Sequence, residues 1–413
     1  MGRSFTAIMV VLILSGCAAG RSSSLESSYA KQDPLESWKS YMKAGQDLFV
    51  AARYGDAAKR FELALSAATS INPKGVQAAN SSHLLAKSLL AAGRTEDAAR
   101  SIRQAIGLRE VAFGPESSEV GDSLTLLGSV FLIQGMDGDA EAILKRALAI
   151  KEKTVGPDHA DVAEILTTQG ALLLRQRKPL DAETCLKRSL RIWEKSGDEK
   201  RAESAPCLNN LGLICLFKED FASAEGYFTE AIKVSRVSLG IPSPELARWQ
   251  ANLAEACQRL GKIQEAEKLL RESLETRKAA LGPEHPEVAQ GMNNLGFFCE
   301  KNGKLDEAEV LYKNAIQVYE KALGKDHLDV ANALMNLASL KFAKARFAEA
   351  EPILKRAVEI RERAVGKESP EMIFVLTGYS IALRQSGHRD EATEVRRRIE
   401  AICKKHNLPL PQD

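Results

Sequence analysis

Histidines flanked by carboxylates recur along this 413-residue chain and are the first residues whose types and spacing could do chemistry. The stretch GPEHPEVAQGMNNLG, residues 282–296, places His285 between two glutamates, which suits a metal site or an acid/base pair. His159 and His327 lie in the similar stretches GPDHADV and GKDHLDV. A shared metal would need these side chains to converge on one ion at about 2 Å. The elements that position the three histidines therefore decide between chemistry and a structural role.

These stretches are copies of one element that repeats along the chain. Its glycines lie at positions 114, 156, 240, 282, 324 and 366, so successive copies within the regular stretches are 42 apart. A second register is set by alanines at positions 57, 98, 140, 182, 224, 266, 308, 350 and 392. The junction EKSGDEKRAESAP around Gly197 departs from the pattern and predicts a longer or irregular loop. The chain therefore contains nine repeat units.

Each unit has the pattern of two helices, seen best in the seventh unit. Apolar residues recur at spacings of three and four from Pro286 to Asn302 and again from Leu305 to Leu323. Gly303 is predicted to end the first helix. Gly324 is predicted to end the second in the left-handed conformation that glycine tolerates best.

The histidine stretch is then the joint between two units. We expect Gly282 to close one helix, Glu284 or His285 to cap the next, and Pro286 to lie in its first turn. Other units have Ser or Asp at the capping position, an exchange that a cap accepts and catalysis does not. Neighbouring units are about 10 Å apart, so their histidines cannot share a metal. The sequence therefore predicts helix caps and no metal site.

The repeat resembles the tetratricopeptide repeat. The stretch NNLGFFCEKNGKLDEAEVLYKNAI has the family's residues at Leu295, Gly296, Gly303, Ala308, Tyr312 and Ala315. The unit is longer than the family's usual length of about 34 residues. The stretches LNNLGLICLFKEDFASAEGYFTEAI and AEPILKRAVEIRERAVGKESPEM look like the kinesin-light-chain type of this repeat. The resemblance implies an all-α fold, a right-handed superhelical α-solenoid of about nine helix pairs, with the first helices lining a concave face. The predicted units lie near 36–70, 75–112, 117–154, 159–197, 201–239, 243–281, 285–323, 327–365 and 369–406, followed by a tail, 407–413.

The segment 1–17 is predicted to be a signal peptide. Arg3 is followed by an apolar stretch, Ala7 to Leu14, which is too short to span a bilayer. The next residues, LSGC, resemble the lipobox of bacterial lipoproteins, which implies acylation of Cys17. We expect a flexible polar tether over 18–35 and a lipid-anchored protein of the bacterial cell envelope, at the outer membrane facing the periplasm. The alternative is an ordinary cleaved signal in which Ala19 is the last residue removed.

Asparagines of the later units are the candidate binding residues. In peptide-binding members of the family, asparagines before the Leu-Gly pair hold the backbone of a ligand in the groove. The resemblance assigns this role to Asn210, Asn252, Asn294 and Asn336, with Asn209 and Asn293 beside them. Arg248, Gln290 and Asn332, one turn earlier, are predicted to add specificity. The alternative is that these amides tie neighbouring helices together or are simply exposed to solvent.

The remaining chemistry of the sequence is sparse. The net charge of +2 does not indicate nucleic-acid binding, and no phosphate loop, HExxH, CxxC or nucleophile elbow occurs. We therefore predict no enzyme activity and no cofactor. Cys215, Cys257 and Cys299 recur at the repeat period and are expected to be buried thiols in one helical position. A disulfide between Cys185 and Cys207 is the weaker alternative for the other thiols.

The sequence as a whole predicts a non-enzymatic interaction scaffold. A lipid-anchored protein would hold an extended peptide segment of a protein partner in its groove, in envelope assembly or secretion. The alternative function is that of a structural subunit of an envelope complex, which uses its convex faces and leaves the groove empty. Besides the protein partner, only the membrane is expected to bind the chain, through the N-terminal lipid.

Overall fold

The computed structural model describes residues 33–51, 53–197, 202–239 and 242–411. These residues form 18 α-helices and a single 3₁₀ turn, Ala202–Ser204, and contain no strand. The predicted all-α class is confirmed. The signal peptide, Cys17 and the predicted tether up to residue 32 lie outside the described residues. Helix α1 begins at Pro34, so the last two residues of the predicted tether are helical.

The described helices form nine consecutive pairs, numbered pair 1 to pair 9 along the chain. Their bounds are α1 Pro34–Val50, α2 Tyr54–Ile71, α3 Val76–Ala91, α4 Thr95–Phe113, α5 Ser118–Gln134, α6 Asp137–Thr154, α7 Ala160–Arg175, α8 Pro179–Lys195, α9 Ala205–Phe217, α10 Phe221–Leu239, α11 Pro244–Arg259, α12 Ile263–Leu281, α13 Pro286–Lys301, α14 Leu305–Leu323, α15 Leu328–Ala343, α16 Phe347–Val365, α17 Met372–Gln385 and α18 Arg389–His406.

The chain divides into two compact units. Pairs 1 and 2 form the first unit, which ends at Pro115, and pairs 3 to 9 form the second. Within each unit every helix packs against the next one along the chain, so the pairs stack in order as in an α-solenoid. No helix of the described ranges has the length and apolarity needed to cross a membrane.

The histidines of the joints are helix caps. The Nδ1 atom of His285 accepts a hydrogen bond from the backbone N–H of Glu287 at 3.2 Å. His159 and His327 accept the same bond at the same distance at the starts of α7 and α15. Each ring thus satisfies one of the donors that a helix leaves unpaired at its N-terminus. The predicted structural role is confirmed, with His285 and not Glu284 as the cap.

The turn inside each of the last eight pairs contains a residue with positive φ. These residues are 42 apart, at positions 93, 135, 177, 219, 261, 303, 345 and 387. Five are glycines, whereas Arg177, Glu219 and Ala345 adopt φ of 54–60° at a cost that glycine avoids. Gly324, by contrast, has φ 91° and ψ 156°, so the predicted left-handed stop is wrong for this position. An extended backbone with positive φ is still a conformation almost restricted to glycine.

Small residues let the two helices of a pair approach closely. Ala308 is fully buried on α14, as are its equivalents in pairs 1 to 8. On the facing helix a Cβ added at Gly296 would lie 2.8 Å from the ring of Tyr312. A larger side chain at such a crossing overpacks the core and destabilises it by about 1–3 kcal/mol. This packing holds the first helices, which carry the asparagines, in a fixed register.

Candidate peptide-binding face

The predicted asparagines lie on the first helices of pairs 5 to 8. We call the six amides on α9, α11, α13 and α15 the asparagine face; they are Asn209, Asn210, Asn252, Asn293, Asn294 and Asn336. All six belong to the second compact unit. Their helices are consecutive first helices of the stack, so the amides follow one another from pair to pair.

Two hydrogen bonds join asparagines of neighbouring pairs. The Nδ2 atom of Asn252 donates to Oδ1 of Asn209 at 2.8 Å. The Nδ2 atom of Asn336 donates to Oδ1 of Asn293 at 3.0 Å. Both bonds span 43 residues and link first helices of adjacent pairs. These four asparagines therefore tie neighbouring helices together, which is the alternative role considered in the sequence analysis.

A third bond of this series, donated by Asn294, is missing because the acceptor position is occupied by an alanine, which has no side-chain oxygen. Counting back from Asn294 by the span of the other two bonds leads to Ala251, where a continuing ladder would need another asparagine. Asn294 is exposed and has no hydrogen-bond partner among the described residues. Its amide can therefore donate and accept without breaking an existing contact. Asn210 differs, because its Oδ1 accepts a bond of 3.4 Å from Nδ2 of Asn209.

A surface concavity of about 470 Å³ surrounds this gap. Four members of the asparagine face line it: Asn252, Asn293, Asn294 and Asn336. An apolar contact surface is provided by Phe297, which is 48% exposed and lies 5.2 Å from the ammonium of Lys301. Arg259 also lines the concavity and pairs with Glu255 at 3.6 Å. The concavity thus combines amides, an exposed ring and a cation, which can hydrogen-bond a peptide backbone and hold one side chain.

The three predicted specificity residues lie outside the lining of this concavity. Arg248 and Gln290 are exposed one turn before the asparagines of α11 and α13. Asn332 already has a partner, because its Oδ1 accepts a bond of 2.8 Å from Nη2 of Arg361. Arg248 has no ion pair or hydrogen bond within the described residues. These residues flank the asparagine face on one side.

The second helices carry a polar position that the sequence interpretation missed. We call it the cation position; in successive pairs it is occupied by residues 109, 151, 193, 235, 277, 319 and 361. In the second unit, the positively charged residues at this position are Lys151, Arg277 and Arg361. The sequence feature that was missed is a side-chain contact between residues 29 apart in the chain. It joins Arg361 to Asn332 and Lys151 to Asp122. The same separation places Arg248 opposite Arg277.

The six cysteines after Cys17 are free thiols. The alternative of a disulfide between Cys185 and Cys207 is therefore wrong; Cys207 donates instead to the carbonyl of Leu186 at 3.3 Å. Cys257 and Cys299 are fully buried, as expected, whereas Cys215 is partly exposed. Burial raises the pKa of the Cys257 and Cys299 thiols to about 11. Such thiols are unreactive near neutral pH.

One cluster of the described residues has the donors for a metal ion, and the sequence interpretation did not anticipate it. The ligand atoms of Glu225, Cys257 and Glu265 lie within 4.8 Å of one another. However, Nζ of Lys262 donates to Glu225 at 2.5 Å. The ammonium compensates the charge of this carboxylate, and the raised pKa of Cys257 keeps its thiol protonated near neutral pH. The bond between Lys262 and Glu225 joins pairs 5 and 6.

Sequence comparison identifies the family of this repeated fold. Profiles described as tetratricopeptide repeat match residues 83–153, 119–188, 161–236, 245–297, 287–363 and 329–405, which is more than half of the chain. The chain therefore belongs to the tetratricopeptide repeat family. Proteins with this repeat generally mediate protein–protein interactions, and the family is typically non-enzymatic. A comparison with curated proteins gave no match.

Solved structures show the same fold at low sequence identity. A signal-transduction ATPase with a tetratricopeptide repeat sensor from Pyrococcus horikoshii is 15% identical, with a TM-score of 0.56 over 81% of this chain and 50% of that one. The human IFIT1 dimer is 18% identical, with a TM-score of 0.51 over 85% and 68%. A putative kinesin light chain from Podosopora anserina is 23% identical, with a TM-score of 0.44 over 48% and 94%.

Proposed function

We propose that this protein is a lipid-anchored scaffold that binds an extended peptide segment of a partner protein on its asparagine face. The proposal rests on the exposed amide of Asn294, which lies in the concavity without a partner among the described residues. An extended peptide backbone offers an N–H and a carbonyl at each residue, and an asparagine side chain can bond to both. The neighbouring ring of Phe297 supplies apolar contact area for one side chain of the segment.

The asparagine pairs support binding indirectly. Each of the bonds Asn252–Asn209 and Asn336–Asn293 leaves one amide hydrogen of the donor side chain and its carbonyl oxygen unused. The bond fixes the orientation of the side chain before any ligand arrives, which reduces the entropy lost on binding. The same bonds also fit the alternative function, a structural subunit of an envelope complex that uses its convex faces and leaves the groove empty, but only in showing that some amides hold helices together.

The substitution Ala251→Asn separates these two functions. It places an acceptor at the ladder spacing before Asn294 and is expected to complete the third bond, which occupies the free amide and fills part of the concavity. Affinity capture from the cell envelope, followed by mass spectrometry, should then lose the partner that the unaltered protein retains. Asn294→Ala should cause the same loss, with circular dichroism unchanged.

The matched control is Ser339→Ala, an exposed position on α15 outside the concavity lining. It should capture the same partner as the unaltered protein. If Ala251→Asn and Asn294→Ala also retain that partner, the asparagine face is not the binding site, and the structural alternative gains support.

The proposed location is the bacterial envelope, with acylated Cys17 as the anchor at the outer membrane, facing the periplasm. The LSGC stretch supports this proposal. Growth with radioactive palmitate should label the protein, and Cys17→Ser should abolish both the label and recovery in the membrane fraction. A protein that is processed after Ala19 and carries no label would contradict the anchor.

A further inference from the structure

Three helices meet at the cluster of Glu225, Cys257 and Glu265. Glu225 lies on α10 of pair 5, and Cys257 and Glu265 lie on α11 and α12 of pair 6. Their ligand atoms lie within 4.8 Å of one another. Cys257 is fully buried, whereas Glu265 is exposed and Glu225 is partly exposed. The cluster is therefore open to solvent on the side of its carboxylates, and an ion reaches it without crossing the core.

The equivalent carboxylates between pairs 6 and 7 are joined by a cation of the chain. These carboxylates lie 42 residues later, on Glu267 and Glu307. Arg271 contacts Glu267 at 2.8 Å and Glu307 at 2.7 Å, so one guanidinium bridges the two. The residue that corresponds to Arg271 one repeat earlier is Thr229, which has no charge.

The equivalent carboxylates between pairs 7 and 8 are also joined by a cation, which in this case stands at the position of the cysteine. Lys341 lies 84 residues after Cys257, at the same place two repeats later. Its side chain is 4% exposed, and its Nζ atom lies 2.7 Å from Glu309 and 3.0 Å from Glu349. The repeat thus encloses a positive charge between these two carboxylates in both of the later contacts.

The cluster between pairs 5 and 6 has both carboxylates but no bridging cation among the described residues. Lys262 forms an ion pair with Glu225, whereas Glu265 has no ion pair or hydrogen bond within the described ranges. The thiol of Cys257 also has no hydrogen bond there, although it is fully buried. Burial raises the pKa of this thiol to about 11, and the negative charges of the two glutamates add to the effect, so both carboxylates act on the sulfur atom.

We propose that Glu225, Cys257 and Glu265 form a binding site for a divalent transition-metal ion of the zinc type. One thiolate and two carboxylates suit Zn²⁺, whereas Mg²⁺ and Ca²⁺ take oxygen ligands. Tetrahedral coordination needs ligand atoms about 3.5 Å apart, which small rotations of the two flexible glutamates achieve. As the bond from Sγ to the metal forms, the thiol releases its proton to water. A water molecule completes the coordination.

Lys262 leaves one oxygen of Glu225 for the ion. Its Nζ atom donates to Oε1 of Glu225 at 2.5 Å. The equivalent Glu309 accepts two cations at once, because Lys341 donates to its Oε1 at 2.7 Å and Lys344 to its Oε2 at 2.9 Å. The negative charges of two carboxylates and a thiolate balance those of a divalent ion and the ammonium. The bound ion would link α10, α11 and α12, and hence pairs 5 and 6.

A titration of the full-length chain with cobalt chloride tests the site, because a bond between Co²⁺ and a thiolate absorbs in the near ultraviolet. The protein is first freed of metal with a chelator and kept under argon. We expect a saturable band that zinc chloride removes and magnesium chloride does not. Cys257→Ser should abolish the band. Glu265→Gln, at an exposed position, should raise the dissociation constant for Co²⁺ at least about tenfold.

Two variants based on the neighbouring repeat are the controls. Cys299→Ser removes the equivalent thiol of pair 7, where Arg271 already joins the carboxylates, and should leave the band unchanged. Thr229→Arg introduces that arginine at an exposed position and should abolish the band while circular dichroism stays unchanged. The site would be overturned if the unaltered protein shows no band, if the band survives Cys257→Ser or Thr229→Arg, or if Cys299→Ser removes it equally.

Discussion

Pairs 3 and 6 are copies of the same helix pair, and each has a buried positive charge at the cation position. The charge has carboxylate partners in pair 3 and none in pair 6. In pair 3 the side chain of Lys151 is 2% exposed and pairs with both Asp122 and Asp161. In pair 6 Arg277 is buried to a similar degree, and its Nε and Nη1 atoms have no partner among the described residues. The repeat therefore reproduces the helices and their core without reproducing the polar contacts that the core encloses.

The difference separates a buried charge that is compensated within the chain from one that is not. A buried cation that carboxylates compensate on both sides contributes to the packing of α6 against α5 and α7. A buried cation faced by Arg248 lacks this compensation and is a local defect in the folded protein. In this family, where shape is common to all members, such departures from the repeat are where binding specificity can arise.

The largest expected effect comes from removing the partners in pair 3. Asp122→Ala together with Asp161→Ala leaves Lys151 with a single bond, to Oγ of Ser118 at 2.7 Å. Breaking a buried ion pair by removing one side typically lowers the free energy of unfolding by about 3–5 kcal/mol. Because both carboxylates are partly exposed, we expect a value at the lower end, about 3 kcal/mol, measured by urea denaturation.

The control for this double substitution is Asp329→Ala. Asp329 is the equivalent of Asp161 at the start of α15, but it faces Tyr319 at the cation position instead of a lysine. It should show only the loss of a favourable helix-dipole contact, about 0.3–1 kcal/mol. Equal losses in the two proteins would mean that Lys151 does not depend on its carboxylates.

The stabilisation provided by a second paired charge, that of Glu309, should depend on pH. Glu309 accepts bonds from Lys341 at 2.7 Å and Lys344 at 2.9 Å, and Lys313 also donates to it. Hydrogen bonds from these lysines, Lys313 first, hold the pKa of Glu309 far below its ordinary value of 4.5. A carboxyl group with a lowered folded-state pKa stabilises the protein above its unfolded-state pKa, and this contribution is lost as the pH falls towards the folded-state value.

Glu309→Gln should therefore lower the free energy of unfolding by about 2 kcal/mol at pH 7. The difference from the unaltered protein should shrink once the pH falls below 4.5, because the carboxyl group then binds a proton in the unfolded chain while it stays charged in the folded protein, which favours unfolding of the unaltered protein. Urea denaturation at a series of pH values measures it. Glu275→Gln, in an exposed pair with Lys278, is the control and should show little difference at any pH. A difference for Glu309→Gln that persists unchanged at pH 3 would contradict the ion-pair explanation.

These contacts mark where sequence reasoning succeeds and where it stops. The helix pairs and the cap at His285 were predictable because both follow from residues close together in the chain. The hydrogen-bonding state of Asn294 was not predictable, because it depends on Ala251, which lies one repeat earlier on another first helix. The contacts at the cation position, such as Lys151 with Asp122 and Arg361 with Asn332, join two different helices at a separation of 29 residues, which the pattern within a single helix does not predict. Only the geometry of the stacked pairs reveals that this separation is a contact.

Removing the unpaired charge of Arg277 in pair 6 should raise the free energy of unfolding, whereas removing the partners of Lys151 in pair 3 should lower it. Arg277→Met keeps a long apolar stem and deletes the buried donors, so the free energy of unfolding should rise by about 1 kcal/mol. Lys151→Met at the equivalent position should lower it, because two carboxylates lose their shared cation. Both variants are measured by urea denaturation in the same buffer without carboxylate or phosphate salts. Destabilisation by Arg277→Met would show that the guanidinium has a compensating contact within the chain.

The smallest effect is expected for an ion pair of pair 4 that lies on the surface. Nζ of Lys195 lies 3.1 Å from Asp158, and the two side chains are 68% and 67% exposed. Water screens such a pair and ordering two long side chains opposes it, so Lys195→Met should produce no measurable change in the urea midpoint. The comparison of pairs 3 and 6 depends on this result, because it attributes the effect of a charge to its burial. A loss similar to that of Lys151→Met would mean that any ion pair between neighbouring repeats stabilises the stack equally, and the cation position would have no special importance.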